Sequence, residues 1–292
     1  MTATDFTAEW AAWHEQHESA RASAHGFLAV TGLHWLAAEP TRYEDVPGAW
    51  STGENGPVVD LGDGETLTID GRQITGRHAF GVIAERDGRT ATFDDAVVEV
   101  AKRGGHDIIR PRHPEHPLRA QYQGTPTYSP DARWSVTGRY LPFSEPREVT
   151  VDAAVEGLQH VYEAPGEIAF ALAGTGLGGA ARAGTGLTGT GLAGTGLAGT
   201  EHRLTVFNGH TPGSLFALFT DATSGITTYA ANRSLAIEAP GSDGQVTIDF
   251  NRATNLPCAY TDFATCPLPP VENRLPVAVE AGEQIPRERA AH

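Results

Sequence analysis

Asp249, Glu272 and Glu280 are carboxylates of the kind that does general acid–base work when a pocket shifts their proton affinity. Arg233, Arg252 and Arg274 lie in the same stretch, and a guanidinium fork grips a carboxylate or phosphate at two points. Together they describe acid–base, hydrolytic chemistry on a small anionic molecule. Asp249 and Glu272 are the candidate catalytic pair, and Tyr229, Arg233, Asn251, Arg252, Asn255, Asn273 and Arg274 the candidate ligand-binding residues. The competing expectation is that the acids and arginines pair with one another, while the asparagines satisfy loop backbone.

A second cluster lies upstream. Residues 101–148 hold 8 basic and 5 acidic groups, against 6 and 17 in the first hundred. Arg110, Arg112 and Arg119, interleaved with His113 and His116, are a candidate anion patch. Surface arginines paired with the acidic N-terminal region are the simpler expectation. Cys258 and Cys266, the two cysteines, lack the Cys-x-x-Cys spacing of a zinc site. Neither has a histidine close in sequence to activate it, so buried thiols come first and a loop-closing disulfide second. There is no Gly-x-Ser-x-Gly, His-Glu-x-x-His or helix-opening Gly-x-Gly-x-x-Gly. No metal or cofactor is expected.

The elements that must position these residues are strands. In Val246-Thr247-Ile248-Asp249-Phe250-Asn251, alternation puts Val246, Ile248 and Phe250 on one face and Thr247, Asp249 and Asn251 on the other. The segment 252–274 then shows neither strand nor helix pattern. Its Leu256, Cys258, Tyr260, Phe263, Cys266, Leu268 and Val271 are costly to leave wet, and its prolines stiffen it. A long apolar loop inside a compact domain commonly carries a site. The pocket is expected beneath 251–274.

Composition sets the wider frame. The 292 residues carry a formal charge of −15 and 40% apolar side chains, which suits a globular chain with a real core. The acidity argues against nucleic acid as a partner. No apolar run reaches the ~18 residues of a membrane span. Residues 1–25 lack the basic start and apolar stretch of an export signal, so a cytoplasmic location is expected.

Phe6, Trp10, Trp13, His17, Ala20 and Ala24 recur at helical spacing, predicting a helix over 5–24 that packs on the domain or pairs with a second copy. The apolar run 27–36 reads as a buried connector. Short β-rich runs follow near 58–61, 65–70, 80–83, 90–93 and 97–100. A second set falls near 133–140, 148–151, 160–162, 168–172, 204–207, 215–219, 235–238, 246–250 and 275–279. Without crossover helices the strands should be antiparallel. The expected fold is mainly β, an antiparallel barrel or sandwich with one N-terminal amphipathic helix and a small additional β module. The divisions are 1–39 (helix and connector), 40–112 (small sandwich-like module) and 113–286 (larger β domain). Ala-Gly-Thr-Gly-Leu recurs at 173–177, 183–187 and 193–197, so 173–200 reads as a flexible insertion.

Several strings resemble a bacterial family of unknown function, DUF1684. They are Leu218-Phe219-Thr220-Asp221-Ala222-Thr223-Ser224-Gly225, Asp249-Phe250-Asn251-Arg252-Ala253, Cys266-Pro267-Leu268-Pro269-Pro270 with Glu272-Asn273-Arg274-Leu275, and Glu280-Ala281-Gly282-Glu283. Gly32-Leu33, Trp35-Leu36 and Arg110 to Arg119 look like its upstream signature. Leu256, Thr254 and Thr227 stand where the family usually has a proline, an aromatic and an acid. The resemblance implies a β-rich fold with a leading helix and supplies no activity. Two function classes therefore stand: a small-molecule enzyme or binder, or a non-catalytic interaction or scaffold protein using the N-terminal β module.

Overall fold

Helix α1 (Ala3–Arg21) starts the chain and lies across the C-terminal half of the protein, as seen in a computed structural model describing residues 3–85, 87–172 and 199–287. The Gly-Thr-Gly-Leu insertion falls almost wholly outside the described residues. The inward stripe of α1 departs from the apolar expectation at its C-terminal end. Ala20 is exposed, while Arg21 is 4% exposed. Arg21 goes inside because a buried carboxylate waits for it. The helix also stops short of residue 24, where Arg119 donates to the carbonyls of Ala22 (3.0 Å) and Ser23 (3.1 Å).

The N-terminal β region holds ten strands: β1 (His34–Trp35), β2 (Thr41–Tyr43), β3 (Val46–Ser51), β4 (Val58–Asp60), β5 (Leu67–Ile69), β6 (Arg72–Ile74), β7 (Arg77–Ala79), β8 (Gly88–Phe93), β9 (Ala96–Arg103) and β10 (His106–Arg112). They form a six-stranded sheet, β1-β10-β9-β8-β5-β6, and a four-stranded one, β2-β3-β4-β7, all antiparallel. Trp50, Val59, Leu67, Val98, Val100 and Ile109 fill the core between them. The predicted strand at 80–83 is absent, and 77–79 pairs instead. The β9–β10 turn needs Gly104 at φ +57°, where a Cβ would strike Leu158, so this hairpin tip sits directly on the C-terminal half.

A one-turn helix α2 (Pro117–Ala120) leads into β11 (Ser135–Asp152), β12 (Gln159–Leu172), β13 (Thr200–Asn208), β14 (Leu215–Phe219), β15 (Arg233–Ile237), β16 (Gln245–Asp249) and β17 (Thr254–Asn255). The sheet order is β16-β11-β12-β13-β14-β15-β17. Pro142 and Pro146 split the sequence pattern of β11 into two runs, yet the chain keeps one strand by placing a register shift between Pro142 and Arg147. The sheet folds over in a sandwich-like arrangement. Its β15 and β16 approach each other with no ladder between them, so the barrel alternative is not realised. Ile168, Phe170, Leu204, Val206, Leu235, Ile237, Val246, Ile248 and Phe250 make the enclosed core.

Candidate functional site

The 275–279 segment, expected as a strand, is none; side chains replace the ladder. Arg233 on the inner face of β15 is 1% exposed. Its Nη2 donates to Asp221 Oδ2 (2.7 Å) and to the Val279 carbonyl (3.1 Å), and its Nη1 donates to the carbonyls of Ala281 and Glu283. Burial lowers the Arg233 pKa, and Asp221 opposes that. Asn273, fully buried, receives the Thr205 amide (2.8 Å) and donates to the carbonyls of Thr205 and Leu218 (2.8 Å each). Asn255 donates Nδ2 to the Gln284 carbonyl, and Tyr229 its hydroxyl to the Cys258 carbonyl, both at 2.8 Å. Asn251 binds both backbone groups of Asp131. Four of these five predicted ligand-binding residues hold irregular backbone, the task that buried loops impose, and Asn273 bridges the backbones of β13 and β14.

Glu272 and Arg274 are exposed. Glu272 accepts from Thr205 Oγ1 (3.3 Å), well apart in the fold from Asp249, and the two are not brought together. Arg110 and Arg112 converge with Arg103 on one carboxylate, Glu99. Burial pushes the Glu99 pKa up, but the arginines overcome it and hold the group down to about 2. Arg119 is spent on carbonyls, including that of Pro114 (2.7 Å). The rings of His113 and His116 meet the carbonyls of Asp45 and Leu28. Among the described residues no group of three or more His, Cys, Asp or Glu side chains is arranged to hold a metal ion.

Asp249 and Arg252 are placed differently. Asp249 caps the 3-10 turn Phe250–Arg252 by accepting from the Asn251 amide (3.1 Å), and its Oδ2 lies 3.4 Å from Arg252 Nε. Arg252 also reaches Glu9 of α1 (3.4 Å) and lies over the Trp13 ring, 5.4 Å from its centroid. Here α1 and the outer face of β15 and β16 enclose a cavity of about 530 Å³. Its floor is Ser135, Ser234, Ala236, Glu238, Thr247, Asp249 and Thr254; its wall is Phe6, Glu9, Trp13, His17 and Arg252. Period-two alternation explains the floor: Leu235, Ile237, Val246 and Ile248 point into the core, leaving the residues between them outward.

The wall is fixed from behind by a buried hub that sequence reasoning missed. Arg21 Nη2 donates to Glu283 Oε1 (2.6 Å), and both side chains are 2% exposed. Arg21 Nη1 donates to Thr125 Oγ1 (2.6 Å) and Glu18 Oε1 (2.6 Å). Glu283 Oε2 accepts the Asn255 amide (2.6 Å), and His17 Nε2 sits 2.7 Å from Arg21 Nη2 and 3.4 Å from Glu283 Oε1. Burial works against both charges. The Glu283 carboxyl is nevertheless held below its usual range by His17, Arg21 and the Asn255 amide, and Arg21 is raised by Glu283. Gly282 at φ +75° delivers Glu283 there; a Cβ would lie 2.6 Å from the Ala253 carbonyl. The signals were present in Arg21 at the end of the helical stripe and Glu283 at the end of a motif string, but nothing in one dimension joins them.

Two other hollows flank this one. A cavity of about 530 Å³ lies on the far side of Phe6, lined by Tyr128, Asp131, Trp134 and Glu280. A larger one, about 690 Å³, lies between Glu85, Tyr162, Phe207, His210 and Leu256. Size favours the latter, but its Glu85 is committed to the amides of Gly104 and Gly105 (2.8 and 2.9 Å). The cleft under α1 alone of the three contains residues from both the leading helix and the 246–254 motif.

A family model described as "Protein of unknown function (DUF1684)" matches residues 120–284. The chain belongs to the DUF1684 family. The matched stretch contains the cleft floor and Glu283, while α1 and the ten-stranded N-terminal region precede it. An uncharacterized protein of Haloarcula marismortui, solved by solution NMR, is similar at 26% identity and a TM-score of 0.41, covering 57% of this chain and 79% of its own. No curated protein matches. Among the described residues no helix is long and apolar enough to cross a membrane.

Proposed function

We propose that this DUF1684 protein binds a small polar molecule in the cleft between α1 and the outer face of β15 and β16. One observation carries the reading. A sheet face that would otherwise meet solvent is roofed by a helix whose docking is fixed by a buried ion pair, leaving about 530 Å³ lined by hydroxyls, carboxylates and one guanidinium. That volume falls within the range of small-molecule sites.

The lining favours a ligand other than the anion expected from the arginines. Glu9, Glu238 and Asp249 outnumber Arg252, and Arg252 already contacts two of them. A neutral polyol or an amine suits three carboxylates and the hydroxyls of Ser135, Ser234, Thr247 and Thr254. Of the two acids expected to be catalytic, Asp249 lines the cleft and Glu272 does not. Glu272 is too remote to share the work, so paired-carboxylate hydrolysis draws no support from this geometry.

The test is a thermal-shift screen of sugars, polyols and amines on wild type and Ala236→Trp. Ala236 is exposed on the cleft floor, so the indole fills the cleft without entering the core. A ligand at a hundred times its Kd stabilises wild type by about 2.7 kcal/mol, and the filled variant loses that shift. Equal shifts in both proteins would place the ligand elsewhere.

A further inference from the structure

Cys258 and Cys266 are reduced and buried, 4% and 6% exposed, in an apolar nest with Ala264, Leu256 and Tyr229. The Cys258 backbone amide donates to Cys266 Sγ at 3.2 Å. The two thiols also hydrogen-bond each other, so the Cys258 sulfur already lies beside its neighbour. The backbone on each side is held by groups other than the thiols. The Tyr229 hydroxyl donates to the Cys258 carbonyl (2.8 Å), the Ala154 amide to the Cys266 carbonyl (2.7 Å), and Asn232 Nδ2 to the Pro267 carbonyl (2.7 Å).

We infer that this pair is a redox site: a small peroxide oxidant closes a disulfide between Cys258 and Cys266, stapling the loop that carries Tyr260. Hydrogen peroxide converts one thiol to a sulfenic acid and releases water. The second sulfur then attacks the first, the S–O bond breaks, and the hydroxyl leaves with the second thiol's proton as another water. The two thiols together give up two protons and two electrons, and the peroxide is reduced to two waters. The neighbouring thiol and burial push the Cys266 pKa well up, so thiolate is scarce at neutral pH. The reaction is therefore slow, and bulky disulfide reagents are poor oxidants for it.

The staple acts on the helix hub. Tyr260 lies between the two cysteines in sequence, its hydroxyl is 2.6 Å from Thr125 Oγ1, and its ring lies 4.9 Å from the Arg21 guanidinium carbon. Fixing that loop stiffens the seat of α1.

The experiment treats the full chain with hydrogen peroxide under native conditions, then denatures it in iodoacetamide. The expected result is an intact mass lower by two hydrogens with no alkylation, a cross-linked Cys258–Cys266 peptide, and a Tm raised by a few degrees that a thiol reductant reverses. Cys258→Ala should show no monomeric disulfide. Cysteines that stay alkylatable, that run on to separate sulfinic acids, or that join only in denaturant would overturn the inference. So would a disulfide that lowers Tm. Should Cys258→Ala fail to fold, the mass and peptide map of wild type decide alone.

Discussion

The two faces of β15 use polar groups in opposite ways. Inward, Arg233 is sealed against Asp221 and binds carbonyls of a segment with no strand to pair with. Outward, Ser234, Ala236 and Glu238 face a cavity that α1 roofs. The lesson is that a dense polar motif need not be a site. Most of this one is a substitute for secondary structure, and what remains for a ligand is the outward set.

The contrast can be broken first on its inner side. Arg233→Met should cost about 3–5 kcal/mol, because it leaves the Asp221 carboxylate buried without its partner. Urea denaturation reads this directly, and a loss below about 1 kcal/mol would mean that the inner charges are not struts.

The N-terminal sheet extends the same logic to Glu99. Its folded pKa of about 2 lies below the ordinary 4.5, so its contribution is full above about pH 5 and fades as pH falls toward 2. At neutral pH that contribution is about 3 kcal/mol. Glu99→Gln should lower stability at pH 7 and flatten its acid dependence, as measured by urea midpoints between pH 7 and 3. Glu283 shares the sign, its depressed pKa adding stability that acid removes.

Asn273→Ala strips three hydrogen bonds from Thr205 and Leu218, and about 2–3 kcal/mol should go with them in the same assay. The outer face should behave in the opposite manner. Glu238→Gln and Thr247→Val should shift stability by less than about 0.5 kcal/mol while weakening a cleft ligand, as calorimetric titration would show. Large unfolding effects from these two would erase the distinction between the faces.

Much of the fold was legible in sequence. The leading helix, the predominance of strands and their antiparallel pairing followed from periodicity and from the lack of crossover helices. The alternation of 246–249 correctly set Thr247 and Asp249 apart from Val246 and Ile248. It misled at Asn251, because the strand ends and a 3-10 turn rotates that side chain into the structure, where it is 2% exposed. Prolines 142 and 146 hid the continuity of β11, since a register shift absorbs residues that cannot join the ladder. The candidate site was half legible. Asp249 and Arg252 reach the cleft, but His17, Trp13 and the Arg21–Glu283 pair lie some 230 or more residues from them or from one another in sequence, and only the docking of α1 joins them. Arg233, Asn255 and Asn273 looked like ligand donors because side chains that bind backbone are the same types as those that bind ligands.

The central claim is that the ligand enters beneath α1. Its most direct test is an NMR titration of the intact protein with the best thermal-shift hit, following amide resonances and the Trp13 indole N–H. The predicted result is saturable shifts at Trp13, Ser234, Thr247 and Thr254. Shifts confined to Tyr162, Phe207 and His210 around the larger hollow, with Trp13 unmoved, would contradict it.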